Sequence, residues 1–259
     1  MSHATTTSPT LDLTTTPAIP FTRLVSVELR KMADTRSGRV LLAAIVAVTL
    51  AILIIFMFAA DLKDHTFENY TGITATPQGF LLPVLGILLV TSEWGQRTTL
   101  TTFTLSPRRG TVIGAKVAAA VLFGLAAIVV ALVLSSLATL VSGAADPWRG
   151  IGADNIGQFA LLQVSGILQG LAFGMLLLNS AAAIVTYFVL PTAFTIVASL
   201  WSALADVAPW VDIATAQQVL FGIDNVTGKQ WLQLLVASTI WIIIPLVIGF
   251  FRVLKAEVK

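Results

Sequence analysis

Residues 155–205 read NIGQFALLQVSGILQGLAFGMLLLNSAAAIVTYFVLPTAFTIVASLWSALA, and from Asn155 to Ala205 there is no Asp, Glu, Lys, Arg or His. As a single helix this stretch would run roughly 75 Å at about 1.5 Å per residue. A bilayer's hydrocarbon core is only roughly 30 Å thick. The chain must therefore turn back once within it, and Asn179-Ser180 is the best place for the reversal. That leaves Ile156 to Leu178 as one membrane span and Ala181 to Leu204 as the next.

The same reading extends outward in both directions. Val40 to Ala60 is a first span, and Pro77 to Thr91 begins a second that carries Pro77, Pro83 and Gly86 and continues past Ser92 as a kinked helix. Val117 to Val141 is the third, stopped at Ala144-Ala145-Asp146-Pro147, with Trp148 at the interface. Trp231 to Phe251 is the sixth, closed by Arg252 and Lys255. The whole composition agrees: 56% of the 259 residues are apolar, 11% are charged, and the mean hydropathy is +0.91. Such a balance leaves no room for a second globular domain of ordinary size. The expected fold is an all-α membrane protein with six transmembrane helices over 39–259.

Ahead of the spans, the first twenty residues hold seven threonines and three prolines without an apolar run. They read as a disordered tail rather than a signal peptide. Over 21–38, Phe21, Leu24, Val25, Leu29 and Met32 share one helical face opposite Arg23, Arg30 and Asp34, the pattern of an amphipathic interfacial helix. Glu28 falls inside the apolar stripe, where it either snorkels to headgroups or meets a basic partner from elsewhere.

Orientation follows from Lys and Arg, which are in excess on cytoplasmic flanks. Twelve (Arg23, Arg30, Lys31, Arg36, Arg39, Arg97, Arg108, Arg109, Lys116, Arg252, Lys255 and Lys259) lie on one side, against Lys63, Arg149 and Lys229 on the other. The first side, with both termini, is expected to be cytoplasmic. Residues 205–230, with Asp206, Pro209, Trp210, Asp212 and Asp224, form an external cap that either stays outside or partly re-enters.

No span has an ionisable group in its interior, which argues against proton relays and voltage sensors. Gln158, Gln163, Gln169, Asn179 and Tyr187 either line a cavity or bond neighbouring helices. Phe80 on span two and Tyr187, Phe188, Phe194 and Trp201 on span five are candidates to line a pathway, with ordinary packing as the alternative. Gly166, Gly170 and Gly174 recur every four residues, so a neighbouring backbone, from this chain or a second copy, packs closely there.

Catalytic constellations are not evident. His3 and His65 stand apart, and the absence of cysteine excludes disulfides, thiol chemistry and cysteine-ligated metals. Gly222 to Gln230 departs from a phosphate loop in spacing and in its last residue. No metal site and no resident enzyme activity are expected.

The connection after span two reads Ser92-Glu93-Trp94-Gly95-Gln96-Arg97-Thr98-Thr99-Leu100-Thr101-Thr102-Phe103-Thr104-Leu105-Ser106-Pro107-Arg108-Arg109, followed by Lys116. It resembles the loop after the second span in permease subunits of bacterial type-2 ABC exporters. There a glutamate, a Gly-Thr, a helix ending in Leu-x-x-Pro, an arginine and a lysine recur in this order. Arg97 stands where that family usually has glycine, with Gly95 two residues upstream. The resemblance extends to Glu28-Leu29-Arg30-Lys31, the six spans and the external cap.

It implies that residues about 93–110 form a coupling loop to a separate ATPase subunit that carries ATP and magnesium. It implies too that a second permease copy, identical or homologous, completes the pathway in a bacterial cell membrane. The coupling residues would be Glu28, Glu93, Arg97, Thr98, Phe103, Leu105, Pro107, Arg108, Arg109 and Lys116. Phe103 and Leu105 would seat in a groove of the ATPase, and Arg108 and Arg109 would hold acidic groups or lipid phosphates, or else only anchor the loop at the membrane. Membrane lipids are further expected partners and nucleic acid is not; this chain itself would hold no cofactor. A hydrophobic or amphipathic cargo suits the uncharged spans. A stand-alone carrier or channel, or a membrane scaffold, are the other readings.

Overall fold

The computed structural model describes residues 19–105, 108–148, 152–221 and 226–257. Residues 1–18 of the tail expected over 1–20, together with Pro107, Arg149, Asp224 and Lys259, lie outside the described residues, as does the side chain of Leu105.

The described chain is all helix and loop: α1 (Phe21–Asp34), α2 (Arg36–Ala59), α3 (Phe67–Gly95), α4 (Thr99–Leu105), α5 (Arg109–Val141), α6 (Ala153–Leu177), α7 (Ser180–Leu200), α8 (Ala208–Val211), α9 (Ile213–Gln217), α10 (Gly228–Ser238) and α11 (Ile244–Lys255). A π-helical turn, Thr239–Ile243, joins α10 to α11, so the two run as one long helix. Pro245 follows at once; its missing N–H and its ring disturb the regular ladder one turn upstream, where the wider turn sits. Among the described residues, six helices are long and apolar enough to cross a membrane: α2, α3, α5, α6, α7 and α10–α11. This is a multi-pass, all-α membrane protein.

The reversal inside the opening stretch falls where Asn179 was expected. Leu178 takes the left-handed conformation at φ 54°, and the Asn179 side chain accepts from the Ala182 N–H to cap α7. Phe173 and Tyr187, seven residues to either side of Ser180, meet edge to face at 6.2 Å, so α6 and α7 run antiparallel.

Span two starts earlier than its hydropathy suggested. Thr66 caps α3 by accepting from Asn69 N–H, and the helix runs through Pro77 and Pro83 to Gly95. Its first residues are held because Phe67 N–H donates to Pro147 O at 2.8 Å and the Phe67 ring packs on Trp148 at 5.4 Å. Helix α6 is central, packing against α3, α5, α7 and α11. Outward-facing Ile55, Phe58, Val129, Leu140, Val185 and Ile248 are half exposed or more, an apolar girdle suited to lipid.

The glycine stripe faces α3 of the same chain. A Cβ on Gly170 would intrude on the Pro83 carbonyl, and one on Gly174 would stand 3.0 Å from Ile87 O. Gly86 answers from α3, where an added Cβ would intrude on Ile167 O. Gln78 of α3 accepts from the Gln163 amide and donates to Ala127 O of α5 at 3.2 Å, so Gln163 bonds helices together.

The segment between the last two spans folds into the bundle. Ile213, Ala216 and Leu220 pack with Phe173, Leu234 and Trp241, while Gln217 donates to Ser165 Oγ, at the midpoint of α6. Asp212, fully buried, caps α9 and accepts hydroxyl bonds from Thr195 (2.8 Å) and Thr215 (2.6 Å). Trp241, in the π turn, donates to Val211 O at 2.7 Å and pins the segment from the other side.

Candidate functional site

Four charged side chains close a ring where α1, α3 and α5 meet. Glu28 and Lys31 come from successive turns of α1, Glu93 from the last turn of α3 and Lys116 from the second turn of α5. Lys116 Nζ donates to Glu28 Oε2 at 2.6 Å, Glu93 Oε1 at 2.9 Å and Leu89 O at 3.0 Å. Its three N–H groups are thereby all used. Lys31 Nζ donates to the other Glu28 oxygen at 2.8 Å and to Glu93 Oε1 at 2.7 Å. Two cations alternate with two anions, so no uncompensated charge is buried.

This resolves the place of Glu28. It lies on the buried face of α1 with Val25 and Met32, and Lys116 is the basic partner from a distant element. Burial pushes the Lys31 ammonium down, but the charges and hydrogen bonds of Glu28 and Glu93 outweigh it and hold the group above lysine's ordinary 10.5.

Glu93 also sets the loop through its backbone. Thr98 N–H returns to Glu93 O at 3.0 Å and Arg97 N–H to Trp94 O at 3.4 Å, a Schellman ending for α3. Arg97 occupies the left-handed position of that motif at φ 57°, so the turn forms although arginine replaces the glycine of the resembling family. Thr99 Oγ1 donates to Glu93 O as well, at 3.2 Å, which fixes the start of α4.

On α4, Leu100, Thr101 and Thr104 face outward, Leu100 with 55% of its surface exposed. Phe103 turns inward instead, packed against the main core and under the Arg109 guanidinium, 4.8 Å from its ring centre. Arg109 Nη1 donates to Leu254 O at 3.0 Å and Ala256 O at 2.9 Å, closing the C-terminus of α11. The structure thus engages Arg109 within the chain and leaves Arg108 exposed. Between α1 and α4 lies a groove of about 660 Å³, with Leu24, Val27, Met32 and Leu89 as apolar walls, Glu28, Lys31 and Glu93 as its floor, and Thr98, Thr101 and Thr102 along its rim.

The pathway candidates separate into groups. Phe80 and Phe188 stack at 5.9 Å, and Tyr187 meets Phe188 edge to face at 4.9 Å, beside small cavities. Phe194 packs on Trp241 in the core, and Trp201 ends α7, largely exposed. Sequence reasoning passed over Lys31 as a ring member and Gln78 as the partner of Gln163. For Lys31 the signal was present, three residues after a carboxylate in an apolar stripe; for Gln78 none was. No group of His, Asp and Glu able to hold a metal occurs among the described residues.

Neither protein-family models nor curated proteins give a match to this chain.

Proposed function

We propose that this chain is the permease subunit of an ATP-driven exporter of the ABC class, paired with a second permease and served by two separate ATPase subunits in a bacterial cell membrane. The observation that carries the reading is the ring of Glu28, Lys31, Glu93 and Lys116. It clamps α1 to α3 and α5, and Glu93 extends the clamp to the base of α4. A push on α4 is therefore delivered to three helices at once, which is what an external ATPase needs in order to move the spans.

In this reading the basic end is cytoplasmic, α1 lies at the interface, and the groove between α1 and α4 receives a segment of the ATPase. Leu100, Thr101 and Thr104 supply the outward contact surface. Phe103 and Arg109 carry the load inward to α11, and the exposed Arg108 is placed to meet an acidic group or a lipid phosphate. ATP and magnesium belong to the partner, and this chain does no chemistry of its own.

Co-expression with the ABC-type ATPase encoded nearest to it tests the proposal. The wild-type pair is expected to co-purify and hydrolyse ATP, and Leu100→Asp to cut co-purification at least tenfold while the permease melts normally. Equal co-purification of both would defeat the coupling role. Flux in liposomes without ATP would mark a stand-alone carrier, and neither flux nor nucleotide dependence a scaffold.

A further inference from the structure

Between α3, α6, α7 and the segment that carries α9 lie two adjoining cavities of about 220 and 170 Å³. Gly79, Tyr187, Ala214 and Gln217 border both. The first is backed by the Gln78–Gln163 amide pair, whose bonds are internal. The second is different. Gln169, only 4% exposed, lines it with an amide that bonds to none of the described residues, and the Tyr187 hydroxyl is equally without a partner among them. A buried amide left open to a cavity is costly unless something there bonds to it.

Among the described residues, the walls carry no charge. The neighbouring carboxylate, Asp212, is turned to Ala214 N–H, Thr215 N–H and the two threonine hydroxyls. An ion entering would lose its hydration without gaining a counter-charge. Amide and phenol groups can both donate and accept, matching a neutral polar group. Phe80, which lines the second cavity and is 57% exposed, stacks on Phe188 and offers a flat apolar face to another ring.

We infer that this is a binding site for an uncharged amphiphile bearing a flat ring and a neutral amide, hydroxyl or carbonyl, which enters laterally from the bilayer. Its description as a cargo site rests on the exporter reading; the binding itself does not.

The chain alone, in lipid nanodiscs without any ATPase, is photolabelled with N-butyl-4-benzoylbenzamide. Two analogues carry a carboxylate or a quaternary ammonium in place of the amide. Saturable labelling of the peptides containing Phe80 or Tyr187 is expected for the neutral probe and not for the charged ones. Gln169→Leu and Tyr187→Phe remove polar groups that bond to none of the described residues, so the fold should survive, checked by an unchanged melt. Each should weaken labelling roughly threefold to tenfold. Equal labelling by the charged analogues, affinity unchanged in both variants, or unsaturable labelling spread over the lipid-facing surface would each overturn the site. A site found in a chain that binds no ATPase would instead sink only the exporter assignment.

Discussion

Arg97 holds a backbone position that costs an L-residue about 1 kcal/mol or more and costs glycine little. Arg97→Gly is therefore expected to raise stability by about 1 kcal/mol, read as a higher melting temperature in detergent. Lys116 is the opposite case, since its side chain is 6% exposed and faces two carboxylates. Lys116→Met leaves two buried carboxylates sharing the single ammonium of Lys31 and should cost about 3–5 kcal/mol. Lys31 gives the ring a pH dependence of definite sign. Its ammonium is held above 10.5, so its contribution is complete below that value and is lost as pH rises through the higher folded one. The difference in melting temperature between wild type and Lys31→Met should be constant from about pH 7 to 9 and vanish in strong alkali.

Helix pairs follow from where side chains are missing. At Gly170 an added methyl runs into the Pro83 backbone, whereas at Gly166 it would stop 3.7 Å from the Pro83 ring. Gly170→Ala should destabilise by about 1–3 kcal/mol or more through forced separation of α3 and α6, and Gly166→Ala should be nearly neutral, by denaturant titration of the purified protein. The four-residue spacing announced a close approach, but it could not say that only two of three glycines face backbone at short range. That depends on the crossing point, which Gly86 and Pro83 on the other helix set.

Across the whole molecule, alternating spans put Arg97, Arg109 and Arg252 at one end and Lys63 and Lys229 at the other. The chain has no cysteine, so single cysteines report sidedness without background. In intact cells, Lys63→Cys and Lys229→Cys should react with an impermeant maleimide, while Gln96→Cys and Lys255→Cys should react only after permeabilisation. The reverse pattern would invert the orientation. The six spans and the reversal at Asn179 were legible in the residues because a helix in lipid satisfies its own backbone, so length and hydropathy decide it locally. The meetings of Glu28 with Lys116, of Arg109 with the carbonyls of α11 and of Gln217 with Ser165 were not. These partners lie 88, 145 and 52 residues apart. Which of them touch depends on the rotation and depth of each helix against its neighbours, and only the packed bundle sets those.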